Sequence, residues 1–227
     1  DPRSPVKPKD PLAAADVGHA LGLLVHDLRN PAATLTANVD FLADAGVADE
    51  DAREALDDMR IALAELSRGL ELVAWVARAL AGQEPVVATS GDVASSLSAA
   101  VRGFSTESKV TLSVTGDGPF VARGGASAPR LVETLLSNAR EHARGRPVRV
   151  DVRRDGSWVV VTTTDAGKAI APSLRERAFT LGGQSDVKGK AEGRYGRYLA
   201  LAAVRMAMDG LGGSVEASGE DGAAVFE

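Results

Sequence analysis

Three histidines occur in this 227-residue chain, His19, His26 and His142, and there is no cysteine. Disulfides and thiolate metal sites are therefore excluded, and a histidine-built metal centre has too few ligands. One of the three stands in a setting that suits a different chemistry. In "LLVHDLRNPAATL", residues 23–35, His26 is followed by Asp27, Arg29, Asn30 and Pro31. Each residue turns an α-helix by about 100°, so His26 lies roughly 160° from both Leu24 and Leu28 and points away from the apolar stripe. Arg29 and Asn30, one turn on, share its side of the helix. Pro31 removes a backbone hydrogen bond and bends the helix just past the histidine. With Asp27 accepting the Nδ1 proton, Nε2 presents its lone pair outward and can attack phosphorus.

Long helices must hold that ring in place. Val17, Leu21, Leu24, Leu28, Pro31, Leu35, Val39 and Leu42 recur every three or four residues. Leu56, Met59, Leu63, Leu66, Leu70, Val73, Ala77 and Leu80 repeat the pattern. The spacing predicts two heptad-like helices, joined by "ADAGVADED" with Gly46 at the turn and acidic residues at the next helix start. Two such helices cannot bury both stripes alone, so pairing with a second copy into a dimeric four-helix bundle is expected, the alternative being a hairpin packed on its own C-terminal domain.

"AGQEPVV", residues 81–87, ends the helical pattern with Gly82 and Pro85. Beyond it "KVTLSVTGDG" and "PVRVDVRRDGSWVVVTTT" alternate like half-buried strands, the second pair forming a hairpin around "RRDGS". Helical patterns return at 92–102, 129–143 and 198–210. The expected class is α+β, with a helical hairpin followed by an α/β sandwich. The expected division is a linker over 1–10, the hairpin over 11–84 and the sandwich over 85–227.

Composition narrows the partners. Hydrophobic residues at 44% and charged residues at 25% suit a globular chain with a real core. The net charge of −5 argues against a nucleic-acid partner. No apolar run approaches the roughly 20 residues of a membrane span, and the expected location is cytoplasmic. The opening "DPRSPVKPKD", without an initial Met, reads as a linker cut from a longer protein or as an artificial boundary.

"HDLRNP" resembles the H box of bacterial sensor histidine kinases, whose dimeric helical hairpin carries a phosphoaccepting histidine. The resemblance implies His26 as that residue, Asp27 as the adjacent acid and Asn30 as the residue that positions water for dephosphorylating the partner. "RLVETLLSNAREHA", residues 130–143, resembles the N box and implies Asn138 as a ligand of Mg²⁺ and the phosphates. "DAGKAI", residues 165–170, resembles the first glycine box, D-x-G-x-G-I. It implies Asp165 as acceptor for the adenine amino group, with Gly167 beside it. "GRYLALAAVRMAMDGLGG", residues 196–213, resembles the second glycine box. The blocks follow family order and cover nearly everything from residue 12 onward. The fold implied is a GHKL-type ATP-binding sandwich behind the hairpin.

The departures are specific. Ala169 replaces the second glycine of the first box, and Tyr198 and Ala200 replace two glycines of the second. Glycine there lets backbone approach phosphate and adopt φ > 0. Thr134 stands where another asparagine is frequent. Glu141 stands where a basic residue is frequent, which puts a like charge near a polyanion. Lys188, Arg194, Gly196 and Arg197 lie in the lid region, where the basic side chains are placed to clamp a triphosphate. Three functions follow from the resemblance. A kinase would move ATP's γ-phosphate to His26 and on to an aspartate of a response-regulator receiver, swinging about residues 81–87. A phosphotransferase with a degenerate nucleotide domain would shuttle phosphate between receivers. A pseudokinase would act as a scaffold without carrying phosphate.

Overall fold

The computed structural model describes residues 14–46, 49–105, 110–143, 146–181, 183, 199–220 and 223–227. Two 31-residue helices open it, α1 (Ala14–Asp44) and α2 (Glu50–Leu80). Helix α2 starts on Asp49, whose carboxylate accepts the Asp51 N–H at 3.3 Å. That contact satisfies one of the otherwise orphaned donors of the first turn. Gly46, at φ 77°, follows the end of α1 in the left-handed region. The helix runs continuously through Pro31.

The seam between α1 and α2 differs from the expected stripe. The residues buried on α1 are Gly18, Val25, Ala32 and Val39, a strict heptad of small and β-branched side chains. Val25 and Ala32 pack with Leu70 and Ala74. A Cβ on Gly18 would meet the Ala77 carbonyl at 2.6 Å, so only glycine lets the helices come this close. Leu24, Leu28, Leu35 and Leu42, expected in the seam, are exposed, as are Met59 and Leu66 of α2. The physical reason is size: the helices approach on their small residues, and the leucines are left on an adjacent face.

The second unit begins with β1 (Gly91–Asp92) and α3 (Val93–Ser105), then β2 (Val110–Thr115), β3 (Val121–Ala122) and α4 (Ala128–Ala143). The hairpin β4 (Val148–Asp155) and β5 (Trp158–Asp165) follows, then a four-residue helix α5 (Arg175–Ala178). Helix α6 (Ala200–Leu211) and strands β6 (Ala217–Glu220) and β7 (Ala223–Phe226) complete it. The main sheet has the order β2-β4-β5-β7-β6, with β2 parallel to β4 and the other pairs antiparallel. Register Asp155↔Trp158 leaves a two-residue turn at Gly156–Ser157, where "RRDGS" predicts it. Strands β6 and β7 have no counterpart in the sequence-based expectation.

Two cores hold this unit. Leu97, Leu136, Val148, Val150 and Val152 lie between α3, α4 and the sheet. The other core crosses into the hairpin: Leu72, Trp75 and Val76 of α2 are buried with Leu131, Leu135, Phe179, Ala203, Val204 and Phe226. Trp75 is only 3% exposed. A buried side chain of that size contributes a few kcal/mol, so the end of α2 is a structural part of the sandwich.

The stretch expected to act as a hinge is instead a strap. Arg78 Nε donates to the Pro85 carbonyl at 2.9 Å, and the Gln83 N–H to the Arg78 carbonyl at 2.8 Å. Glu84 pairs with Arg123 at 2.6 Å. Pro85 is buried against Gly210, and Val86 joins the shared core. Ser127 Oγ donates to the Val87 carbonyl at 2.9 Å. With consecutive residues bonded or packed on both units, free rotation about 81–87 would break most of these contacts. The boundary expected near residue 84 falls inside the strap.

Candidate functional site

His26 lies on the outer side of α1 with its side chain 76% exposed, and that of Asp27 is 81% exposed. Its Nδ1 sits 3.3 Å from Asp27 Oδ1, a position in which Nδ1–H donates to the carboxylate. That tautomer leaves Nε2 as the free base, facing solvent. Pro31 has no N–H, so the carbonyl of Asp27 lacks its helical donor. Asn30 is exposed one turn on. His19, two turns earlier, is also exposed, and its Nδ1 lies 2.7 Å from the Ala15 carbonyl, without a carboxylate.

The side of α1 that carries His26 continues toward the loop. At 100° per residue, Asn30, Thr34, Ala37 and Phe41 stay within about 80° of it. Phe41 is 71% exposed. The unpacked leucines occupy the opposite side of the helix.

The second group of predicted residues lies at the far end of β5. Asp165 is the last residue of that strand and is 4% exposed. Its Oδ1 accepts the Gly167 N–H at 2.6 Å, closing a tight turn just beyond the strand. A carboxylate this buried needs hydrogen-bonded partners, since desolvation alone would cost several kcal/mol. Gly167 is buried beside it. The loop is held by Arg175, whose Nε donates to the Ile170 carbonyl at 3.2 Å and whose Nη2 donates to the Gly219 carbonyl at 2.7 Å.

Asn138 falls within α4, but its side chain is outside the described residues. Lys188, Arg194, Gly196, Arg197 and Tyr198 also lie outside them. Ala200 is the first residue of α6 and its side chain is buried in the core shared with α2. A right-handed helical residue with its methyl group turned inward carries none of the left-handed cost expected for a replaced glycine. The structure thus brings His26, Asp27 and Asn30 together on α1, and Asp165 and Gly167 together beyond β5.

The contact between the units, weighed in the sequence only as an alternative to dimerisation, is made by residues the sequence did not single out. Arg130 at the start of α4 reaches Glu71 of α2, its Nη1 lying 2.7 and 2.6 Å from the two carboxylate oxygens. Glu133, one turn further, is half-buried, and burial pushes its carboxyl above the usual range despite Arg130 nearby. Burial and the charge of Arg29 hold the Arg78 guanidinium below its ordinary value. Phe179 anchors the segment after Arg175 in the same core. The signal was present as "ELVAW", residues 71–75, where an aromatic sits off the heptad stripe of α2.

Residues 126–227 match the family described as Histidine kinase-, DNA gyrase B-, and HSP90-like ATPase. A comparison with curated proteins finds no match. Among solved structures, full-length ShkA in complex with AMPPNP superposes with a TM-score of 0.63 at 21% identity, over 92% of this chain. This chain spans 44% of the length of that protein. The histidine kinase AdeS of Acinetobacter baumannii gives a TM-score of 0.54 at 17% identity, over 88% of this chain and 94% of the kinase. A bacterial phosphotransferase covers 96% of this chain and 97% of its own, with a TM-score of 0.47 at 16% identity. The first two likenesses extend over both the hairpin and the sandwich of this chain. The chain shares the fold of these two solved structures, a helical hairpin followed by an α/β sandwich, and residues 126–227 of it resemble the ATPase family named above.

Proposed function

We propose that this chain is a two-component phosphorelay protein whose phosphorylated residue is His26. The observation that carries the proposal is the outward ring: an exposed imidazole with a carboxylate at Nδ1, leaving Nε2 to attack. Asp27 orients the ring and stabilises the charge it gains. Asn30 is placed to hold a water near the phosphoryl group of a docked partner. The acceptor is an aspartate on a response-regulator receiver, which docks along Thr34, Ala37 and Phe41.

A second copy completes the hairpin. Leu24, Leu28, Leu35 and Leu42 of α1 and Met59 and Leu66 of α2 leave large apolar side chains in water. A surface of that kind on paired helices is the inner face of a four-helix bundle. The His26 side lies opposite, so dimerisation leaves the ring accessible.

The phosphoryl donor is ATP with Mg²⁺ in the first reading. The residues described fit the adenine end: Asp165 is a buried carboxylate of the kind that accepts an amino group, and Gly167 allows close approach. Asn138 would hold Mg²⁺, and Lys188, Arg194, Gly196 and Arg197 would close on the phosphates. The bound nucleotide supplies the γ-phosphoryl group, and the protein supplies positioning and charge neutralisation. The strap favours a second reading, a phosphotransferase charged by receivers. A nucleotide unit fixed to α2 has less freedom to carry ATP to His26, and Glu141 adds a like charge.

One experiment separates the readings. The chain is incubated with Mg²⁺ and γ-labelled ATP, and in parallel with phosphorylated receivers. Label from ATP that disappears in Asn138→Ala supports the kinase. Label from receivers alone supports the phosphotransferase. No label from either source contradicts both.

A further inference from the structure

His26 and Glu71 hold equivalent places on the two long helices. Each directly follows a residue of the buried seam, Val25 on α1 and Leu70 on α2, and those two seam residues share one cluster. In an antiparallel helix pair, the residue after a seam position turns to the same side of the pair on either helix. Glu71 therefore lies on the His26 side, near the level of the ring. Arg29 stands roughly 60° around α1 from His26, between the ring and the seam, and Arg78 follows Glu71 by about two turns on the same side of α2. Both Arg29 and Glu71 act on the charge of the Arg78 guanidinium, as groups lining one groove must.

The sandwich reaches into the same groove. Arg130, in the first turn of α4, sets Nη1 at 2.7 and 2.6 Å from the two Glu71 oxygens. Only that nitrogen is engaged among the described residues, and the Arg130 side chain stays 63% exposed against 27% for Glu71. Arg29 is exposed and makes no ion pair among the described residues. Arg78 Nε meets the neutral Pro85 carbonyl. Three guanidinium groups thus surround one carboxylate, while Asp27 is turned to Nδ1 of His26 and Glu133 is half-buried further along α4. In a chain of net charge −5, this local excess of cations suits an anion.

We infer that the groove holds the phosphoryl group carried by His26, with Arg29 on one side and Arg130 of the sandwich on the other. The inference rests on the reading of His26 as the phosphorylated residue. A phosphoryl group brings nearly two negative charges and three acceptor oxygens. Guanidinium groups bind such oxygens through charge-assisted hydrogen bonds. Glu71 competes with the phosphoryl group for Arg130. On transfer the Nε2–P bond breaks, its electron pair stays on Nε2, and phosphorus bonds to a carboxylate oxygen of the receiver aspartate. Nδ1 keeps its proton, and the two cations stabilise the charged oxygens throughout. The sandwich then serves phosphotransfer whether or not it binds a nucleotide, and the strap and Trp75 hold Arg130 beside the ring.

The test charges the full chain with phosphoramidate, a small phosphodonor that needs neither nucleotide nor receiver, and follows the phosphohistidine by phosphorus NMR as pH varies. Nearby cations lower the pH at which the phosphoryl group takes up a proton. Arg130→Gln and Arg29→Gln should each raise that midpoint by about half a pH unit. Arg130→Lys, which keeps the charge, should restore most of it. Glu71→Gln, which releases Arg130, should lower it. A purely structural bridge is broken equally by Arg130→Gln and Glu71→Gln, so both variants moving the midpoint the same way, or neither moving it, would overturn the proposal. In equilibrium with a phosphorylated receiver, the share of phosphoryl group on His26 should fall about threefold in Arg130→Gln and rise in Glu71→Gln; equal shares in all three proteins would count against the site. Wild-type protein that takes no phosphoryl group at His26 would remove the phosphorelay reading and this inference with it. Labelled protein with unmoved midpoints would remove the inference alone.

Discussion

The hairpin and the sandwich solve the burial problem in opposite ways. The sandwich closes on itself: Leu97, Leu136, Val150 and Val152 reach full or almost full burial between two helices and a sheet. Helix α1 of the hairpin buries a narrow line of small residues and leaves Leu24, Leu28, Leu35 and Leu42 outside. A helix that exposes its large apolar side chains while enclosing its small ones leaves a face for something else to cover. The same helix keeps the His26 ring on the far side from that face. Under the proposed function, this difference lets chemistry and assembly share α1 without competing.

The largest effect expected from this contrast is at the junction. Trp75→Ala should destabilise the sandwich by about 3–5 kcal/mol, read by denaturant unfolding. A loss below about 1 kcal/mol would mean that α2 merely rests on the second unit. Next, Leu24→Asp with Leu35→Asp should convert the proposed dimer to a monomer in sedimentation while leaving unfolding of the sandwich unchanged. Persistence of the dimer would move the assembly surface elsewhere. Gly18→Ala should cost about 1–3 kcal/mol through overpacking against the Ala77 carbonyl, where Gly69→Ala should stabilise.

Smallest is a pH-dependent effect. Burial raises the Glu133 carboxyl above its unfolded value. Its contribution to stability is therefore greatest at low pH and is lost as pH rises through the folded-state value. Glu133→Gln should stabilise at pH 7 and leave stability unchanged at low pH, where the carboxyl is already neutral. Equal gains at both would assign the effect to packing instead.

Much of the molecule was readable because its signals are local. The period of the leucines gives both long helices, "RRDGS" gives the β4–β5 turn, and "HDLRNP" places the histidine opposite the leucines. What escaped depends on contacts between distant segments. The seam runs on Gly18, Val25, Ala32 and Val39 because helices approach on small residues, and hydrophobic periodicity weights the leucines instead. The short strand β7 gains its identity only from pairing with β5, and β6 only from pairing with β7. Gly82 and Pro85 looked like a hinge, since both break helices. In the fold Pro85 is buried on Gly210, and its carbonyl takes the side chain of Arg78. The replaced glycine at Ala200 looked costly until its methyl group was found in the core.

The central claim is that His26 carries the phosphoryl group, and the direct measurement is mass-spectrometric mapping of acid-labile phosphate after mixing with Mg²⁺-ATP or phosphorylated receivers. The account predicts a single phosphohistidine at His26, absent in His26→Gln while the variant remains dimeric. Phosphate found on His19 or His142, or undiminished in His26→Gln, would contradict it.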